Sequence, residues 1–143
     1  YDATVGTLYA GCYRYVRLAA VDTAVVVGQA AFWDNTAAPS TYQVTEDIDS
    51  TTNNYTSFAG VFINAITPGN YGFIQVAGVA TAQYLASIGG TKATGRPLIV
   101  GVGGLFDIAD TPTPERWVGW AIALPVDNSL GTFNLNNIPS LRG

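Results

Sequence analysis

The sequence predicts an all-β chain: a single small antiparallel β-sandwich or barrel with an extended N-terminal arm. Three observations predict it. β-Branched and aromatic residues recur in short runs from end to end, Gly, Pro, Asn and Asp interrupt those runs, and helical periodicity is almost absent. With 143 residues the chain can build one core without disulfide staples.

Taken in order, Tyr1 to Cys12 mixes Gly, Thr and single apolar residues without clean alternation and is read as an arm, leaving residues 13–143 as one β domain. Tyr13 to Leu18 reads as a strand, and Ala24 to Asp34 as a longer one with an irregularity at Gly28. Asn35 to Ser40 is a turn-rich loop, Tyr42 to Thr45 a short strand, and Glu46 to Asn54 a polar excursion. Phe58 to Ala65, Tyr71 to Ala77 and Val79 to Ile88 follow as strands, with a possible turn near 82–88. Thr67-Pro68-Gly69-Asn70 joins the first two as a hairpin turn, because Pro presets φ and Gly tolerates positive φ.

Pro97 to Val102 begins with Pro, where a missing N–H does least harm. Leu105 to Ile108 is read as a brief pairing segment within an irregular stretch. Trp117 to Leu124 alternates most clearly: Val118, Trp120, Ile122 and Leu124 share one face, and Trp117, Gly119, Ala121 and Ala123 the other. The small second face predicts close approach of another layer. Gly131 to Leu135 is the last strand, giving about nine in one domain with no visible linker or repeat.

Composition narrows the function. The chain has no His and one Cys, Cys12, which excludes a His-based triad, a His-containing zinc site and an intramolecular disulfide. Six cations against ten acids make a poor phosphate-binding surface, so no nucleic-acid partner is expected. Apolar runs fall short of the ~18 to 20 residues of a membrane span, and no membrane partner is expected. No signal segment opens the chain, and Tyr1 is not expected to be the translational start. Charged residues make up only 11%, against about 25% in ordinary domains. Two readings fit: other protein chains cover much of the outside, or the surface is neutral and rich in Thr, Asn, Ser and Gly.

The motifs that resemble chemistry mostly fail on detail. Gly90 to Gly95 has the outer spacing of a phosphate loop, but Arg96-Pro97 and a strand follow it, so no helix N-terminus receives phosphate. Gly101, Gly103 and Gly104 miss the dinucleotide fingerprint, whose third Gly is here Phe106. Glu46, Asp47 and Asp49 lack the Gly and terminal Glu of a calcium loop and read as solvated turn residues. Asp107, Asp110 and Glu115 form a conceivable glycosidase set, but Thr111-Pro112-Thr113-Pro114 makes theirs a turn-capping context. Cys12 has no base to activate it, and Asn54-Tyr55-Thr56 matches a glycosylation acceptor of common chance occurrence. Tyr9, Tyr13, Tyr15, Phe32, Trp33 and Tyr71 include material for a sugar-stacking platform, although core or interface anchors are the ordinary role of such rings.

The stretch Phe58 to Ala80, FAGVFINAITPGNYGFIQVAGVA, resembles the small head-decoration (cement) proteins of tailed bacteriophages. So do Trp117 to Ala123 (WVGWAIA) and Val26 to Asp34, the three together covering about half the chain. The resemblance implies a β-rich virion protein on the capsid surface, often trimeric, that binds the major capsid protein and stabilises contacts between coat subunits. It implies no enzyme activity, no metal and no cofactor. Tyr9, Tyr13, Trp33, Phe62 and Tyr71 are the expected interface residues, with self-association as a homo-oligomer, a trimer favoured. The arm is expected to touch a neighbouring chain more than its own domain. The alternatives from other classes are a carbohydrate- or receptor-binding β module of a viral fibre or tail, and a hydrolase using Asp107, Asp110 or Glu115.

Overall fold

The computed structural model describes residues 11–20, 22–34, 42–46, 55–109 and 117–135. Nine strands fall within them: β1 (Gly11–Leu18), β2 (Ala30–Asp34), β3 (Gln43–Thr45), β4 (Tyr55–Phe62), β5 (Tyr71–Gln83), β6 (Pro97–Val100), β7 (Phe106–Ile108), β8 (Gly119–Ala121) and β9 (Leu130–Leu135). The all-β expectation holds. No helix among the described residues is long and apolar enough to cross a membrane.

The strands form one sheet in the order β1-β3-β2-β4-β5-β9-β8-β6-β7, and β1 also pairs with β5. That extra pairing closes the first five strands into a small ring. The 13-residue β5 then runs on into the second half of the order, where a parallel bridge between Tyr84 and Phe106 brings β7 back beside it. Two barrel-like units therefore share one strand. The β1–β3 pair is parallel, and every other strand-to-strand pairing is antiparallel. Parity requires such a departure, because five strands in a closed ring cannot all run opposite to both neighbours. The second ring meets the same constraint with its Tyr84–Phe106 bridge.

Each ring has its own core. Val16, Leu18, Val44, Phe62 and Ile74 fill the first, together with Val25, Ala31, Ala59 and Ile66. Tyr84, Leu98, Phe106, Ile108, Phe133 and Leu135 fill the second, with Phe106 and Phe133 centred 5.1 Å apart. Strands β2 and β4 lie between the two and serve both. Ala30, Phe58 and Val61 belong to the second core, whereas Ala31, Ala59 and Phe62 belong to the first. Ordinary alternation would put Phe58 and Val61 on opposite faces. A bulge corrects this: Ala31 pairs with Gly60 and Phe32 with Phe58, leaving Ala59 as the extra residue. Burial on both faces explains why these segments read as continuous apolar runs.

A second bulge lies where β1 crosses β5, since Cys12 pairs with Ala77 and Tyr13 with Gln75. The side chain of Gln75 is buried there, and its Nε2 donates to the carbonyls of Ala77 (3.0 Å) and Val79 (2.8 Å). One amide thus satisfies backbone acceptors at the point where β5 leaves the first ring for the second.

The strand boundaries differ from the sequence reading in definite ways. Ala24 to Asp34 is not one strand: Val25 makes an isolated bridge to Ile66, and β2 starts only at Ala30. Tyr71 to Ala77 and Val79 to Ile88 are a single strand to Gln83, because Gly78 continues the ladder at φ 96° rather than ending it. Trp117 to Leu124 contributes only three residues to β8. The close approach at its small face is to the next strand of the same sheet rather than to another layer: a Cβ on Gly119 would lie 2.1 Å from the Asn134 carbonyl oxygen of β9. The large residues Trp120, Ile122 and Leu124 face outward instead. Glu46 is buried rather than a solvated turn residue, with its Oε1 accepting from Thr23 Oγ1 at 2.7 Å. Of the expected arm, Gly11 and Cys12 open β1, and the rest lies outside the described residues.

Candidate functional site

The outer face of the first ring is built by β1 and β5. Val16 and Leu18 of β1 and Ile74 of β5 point into the core, so Tyr15, Arg17, Tyr71 and Phe73 point away from it. Register sets Tyr15 opposite Phe73 and Arg17 opposite Tyr71. The Tyr15 and Tyr71 rings stack with centroids 5.4 Å apart, and Phe73 tilts against Tyr15 at 5.1 Å. All three remain exposed, at 55%, 55% and 46%. Ile63, also exposed, adjoins them through its N–H to the Phe73 carbonyl.

Polar groups hold this platform in place. Arg17 Nε donates to the Gly69 carbonyl at 3.1 Å, bracing the turn that delivers Tyr71 to the strand. Its NH1 donates to Gln43 Oε1, and Gln43 Nε2 donates to Asp34 Oδ2 at 2.7 Å. Asn64 Oδ1 accepts from the Phe73 N–H at 3.3 Å. The result is a fixed aromatic surface edged by an amide and a guanidinium, a combination suited to surface recognition.

The five expected interface residues occupy different places. Tyr71 lies on the platform. Tyr13 is half-buried one ladder position away, opposite Gln75. Trp33 packs against the first core, and the Arg14 guanidinium lies 5.3 Å from its ring centre. Phe62 is wholly buried in that core, and Tyr9 lies outside the described residues. Phe73 was missed, although its two-residue spacing from Tyr71 carries the signal once Gly72 and Ile74 are recognised as inward.

Of the remaining chemical candidates, Asp107 is engaged structurally. Asp107 Oδ1 accepts the Gly89 N–H at 2.8 Å and the Ile108 N–H at 2.7 Å, tying a loop to β7. Asp110, Glu115, Asp47 and Asp49 lie outside the described residues, as does the placement of Asn54. Cys12 is an exposed free thiol in β1. Among the described residues no group of three or more His, Cys, Asp or Glu side chains could hold a metal ion. Asp127 pairs with Lys92 at 2.6 Å, and that hydrogen bond, with one from the Ile88 N–H, holds its carboxyl below the usual range. Burial pushes Asp22 the other way, up to about 6, against hydrogen bonds from Thr45 and the Glu46 N–H.

No protein family matches the sequence, and no curated protein matches it. Five solved chains do match. One is the N base of the head fiber gp8.5 of bacteriophage phi29, 12% identical, with a TM-score of 0.58 over 88% of this chain and 94% of that one. At this identity the likeness shows a common all-β fold.

Proposed function

We propose that the chain is a structural protein of a phage virion that binds the outer surface of the capsid and stabilises contacts between major coat subunits. The observation that carries this reading is the fold it shares with the head-fiber base, which extends over nearly the whole of both chains. The platform supplies a physical means. Tyr15, Tyr71 and Phe73 already pack on one another in the free chain, which lowers the side-chain entropy left to lose on docking. Repeated on a lattice, many modest contacts act together through effective concentration. Purified shells of the parent virus test it by co-sedimentation. Wild-type chain is expected to pellet with shells and Tyr71→Ser to stay in the supernatant; wild type left in the supernatant overturns the reading.

A second reading, recognition of a carbohydrate receptor, draws on the same exposed rings beside the Asn64 amide. A glycan array with isolated protein separates the two.

A further inference from the structure

Arg14 stands apart from the other cations among the described residues. Arg17 is engaged with the Gly69 carbonyl and Gln43, Lys92 with Asp127, and Arg96 with the Ala109 carbonyl. Arg14 is exposed, and among the described residues its guanidinium makes neither a hydrogen bond nor an ion pair. Its one fixed contact is the Trp33 ring, over which it lies 5.3 Å from the centre.

The fold explains this placement. Alternation along β1 turns Arg14 to the same side as Val16 and Leu18, which are buried in the first core. Strand β3 begins only at Gln43, opposite Arg17. From there back to Gly11, β1 has β5 on one side and no strand among the described residues on the other. Arg14 therefore starts inside the ring and emerges at its open end. Trp33, half-buried against the first core, is its apolar seat.

A guanidinium presents five N–H donors in a planar fork, and contact with an indole face uses none of them. A fork held against a ring is oriented before any partner arrives, beside an apolar surface that strengthens a charge-assisted bond. The group that matches one such fork is a single carboxylate, bound through both oxygens. A phosphodiester chain would call for several cations in a row, and the other cation of β1, Arg17, is already engaged.

We infer that Arg14, seated on Trp33, receives an aspartate or glutamate side chain of the protein that docks on the aromatic platform. The identity of that partner rests on the capsid-surface reading; the chemistry of its contact rests on Arg14 itself. Tyr15 of the platform is the next residue along β1, so one partner can reach both. A chain of net charge −4 repels an acidic surface except at an unspent cation. Arg14 thus fixes the docking pose, while the platform supplies contact area.

Two measurements test this. In co-sedimentation with purified shells at about 0.1 M salt, Arg14→Gln is expected to bind at least about tenfold more weakly than wild type, with a flatter salt dependence. Arg14→Lys keeps the charge without the planar fork and is expected to recover less than half of that loss. Arg14 is exposed, so neither variant is expected to disturb the fold. In the free chain, a hexaglutamate peptide is expected to shift the NMR resonance of the Arg14 Nε–H, and sodium phosphate at equal ionic strength to leave it in place. Wild type and Arg14→Gln pelleting alike across the salt range would overturn the inference and leave the capsid reading standing. Wild type that ignores shells yet responds to hexaglutamate would overturn the capsid reading and retain the carboxylate site. An equal response to phosphate would overturn the choice of carboxylate, and full recovery by Arg14→Lys the role of the fork.

Discussion

Tyr15 and Tyr71 lie on adjacent strands with ring planes 11° from parallel and centroids 5.4 Å apart, yet each keeps more than half its surface open. Stacking of this kind contributes about 0.5–1.5 kcal/mol beyond burial. Rings left this open on a solvated face add less to folding than the same rings would inside a core.

Replacing Tyr71 and Phe62 separates those roles. Phe62→Ala empties a site wholly enclosed by the first core and is expected to cost about 3–5 kcal/mol of stability. Tyr71→Ser is expected to cost about 1–2 kcal/mol while abolishing surface binding. Urea denaturation of the two variants beside wild type measures the contrast. Equal losses would place Tyr71 among the folding determinants.

Two buried polar groups have opposite consequences. Gln75→Leu would leave the Ala77 and Val79 carbonyls without their amide donor, at an expected cost of about 2–4 kcal/mol. The Tyr84 hydroxyl is buried without a hydrogen-bond partner, and burial pushes its pKa up to about 12. Tyr84→Phe keeps the ring and discards that liability, so a gain of about 1 kcal/mol is expected. Thermal melting of both variants checks the signs.

Asp22 makes stability depend on pH. Its folded pKa of about 6 lies above the ordinary 3.8, so the fold prefers the neutral carboxyl. That preference is fully expressed below the unfolded pKa and is lost as pH rises through the folded one. Asp22→Asn is expected to raise the melting temperature by a few degrees at about pH 7.5, on the order of 1–2 kcal/mol after allowance for partial exposure, and to leave it unchanged near pH 4. The same melting temperature for variant and wild type at the higher pH would refute this.

Much of the fold is legible in the sequence, and the exceptions have physical causes. The turn at Thr67 to Asn70 announces itself, and Asn70 N–H duly bonds to the Thr67 carbonyl at 3.1 Å. Gly78 resembles a strand end, but in a 13-residue strand shared by two rings it is a residue able to hold a positive φ within the ladder. Alternation at Trp117 to Leu124 is visible, yet it does not say which apolar face meets water. Ala121 lies in the second core, and Gly119 is held small by the Asn134 carbonyl of the paired strand, which a Cβ would meet. Phe62 looks like an anchor in isolation. Only the bulge at Ala59, a feature of pairing with β2, decides that it enters the first core while Val61 enters the second.

That bulge binds the fate of the two halves together. Pulling β2 and β4 out of either interior strips Ala30, Phe58 and Val61 from one and Ala31, Ala59 and Phe62 from the other. Neither half retains a complete lining once its neighbour melts, so loss of structure is expected as one cooperative event rather than two. A chain built this way offers proteases few half-opened forms, so resistance to digestion is expected to follow the stability of the whole fold rather than of either half.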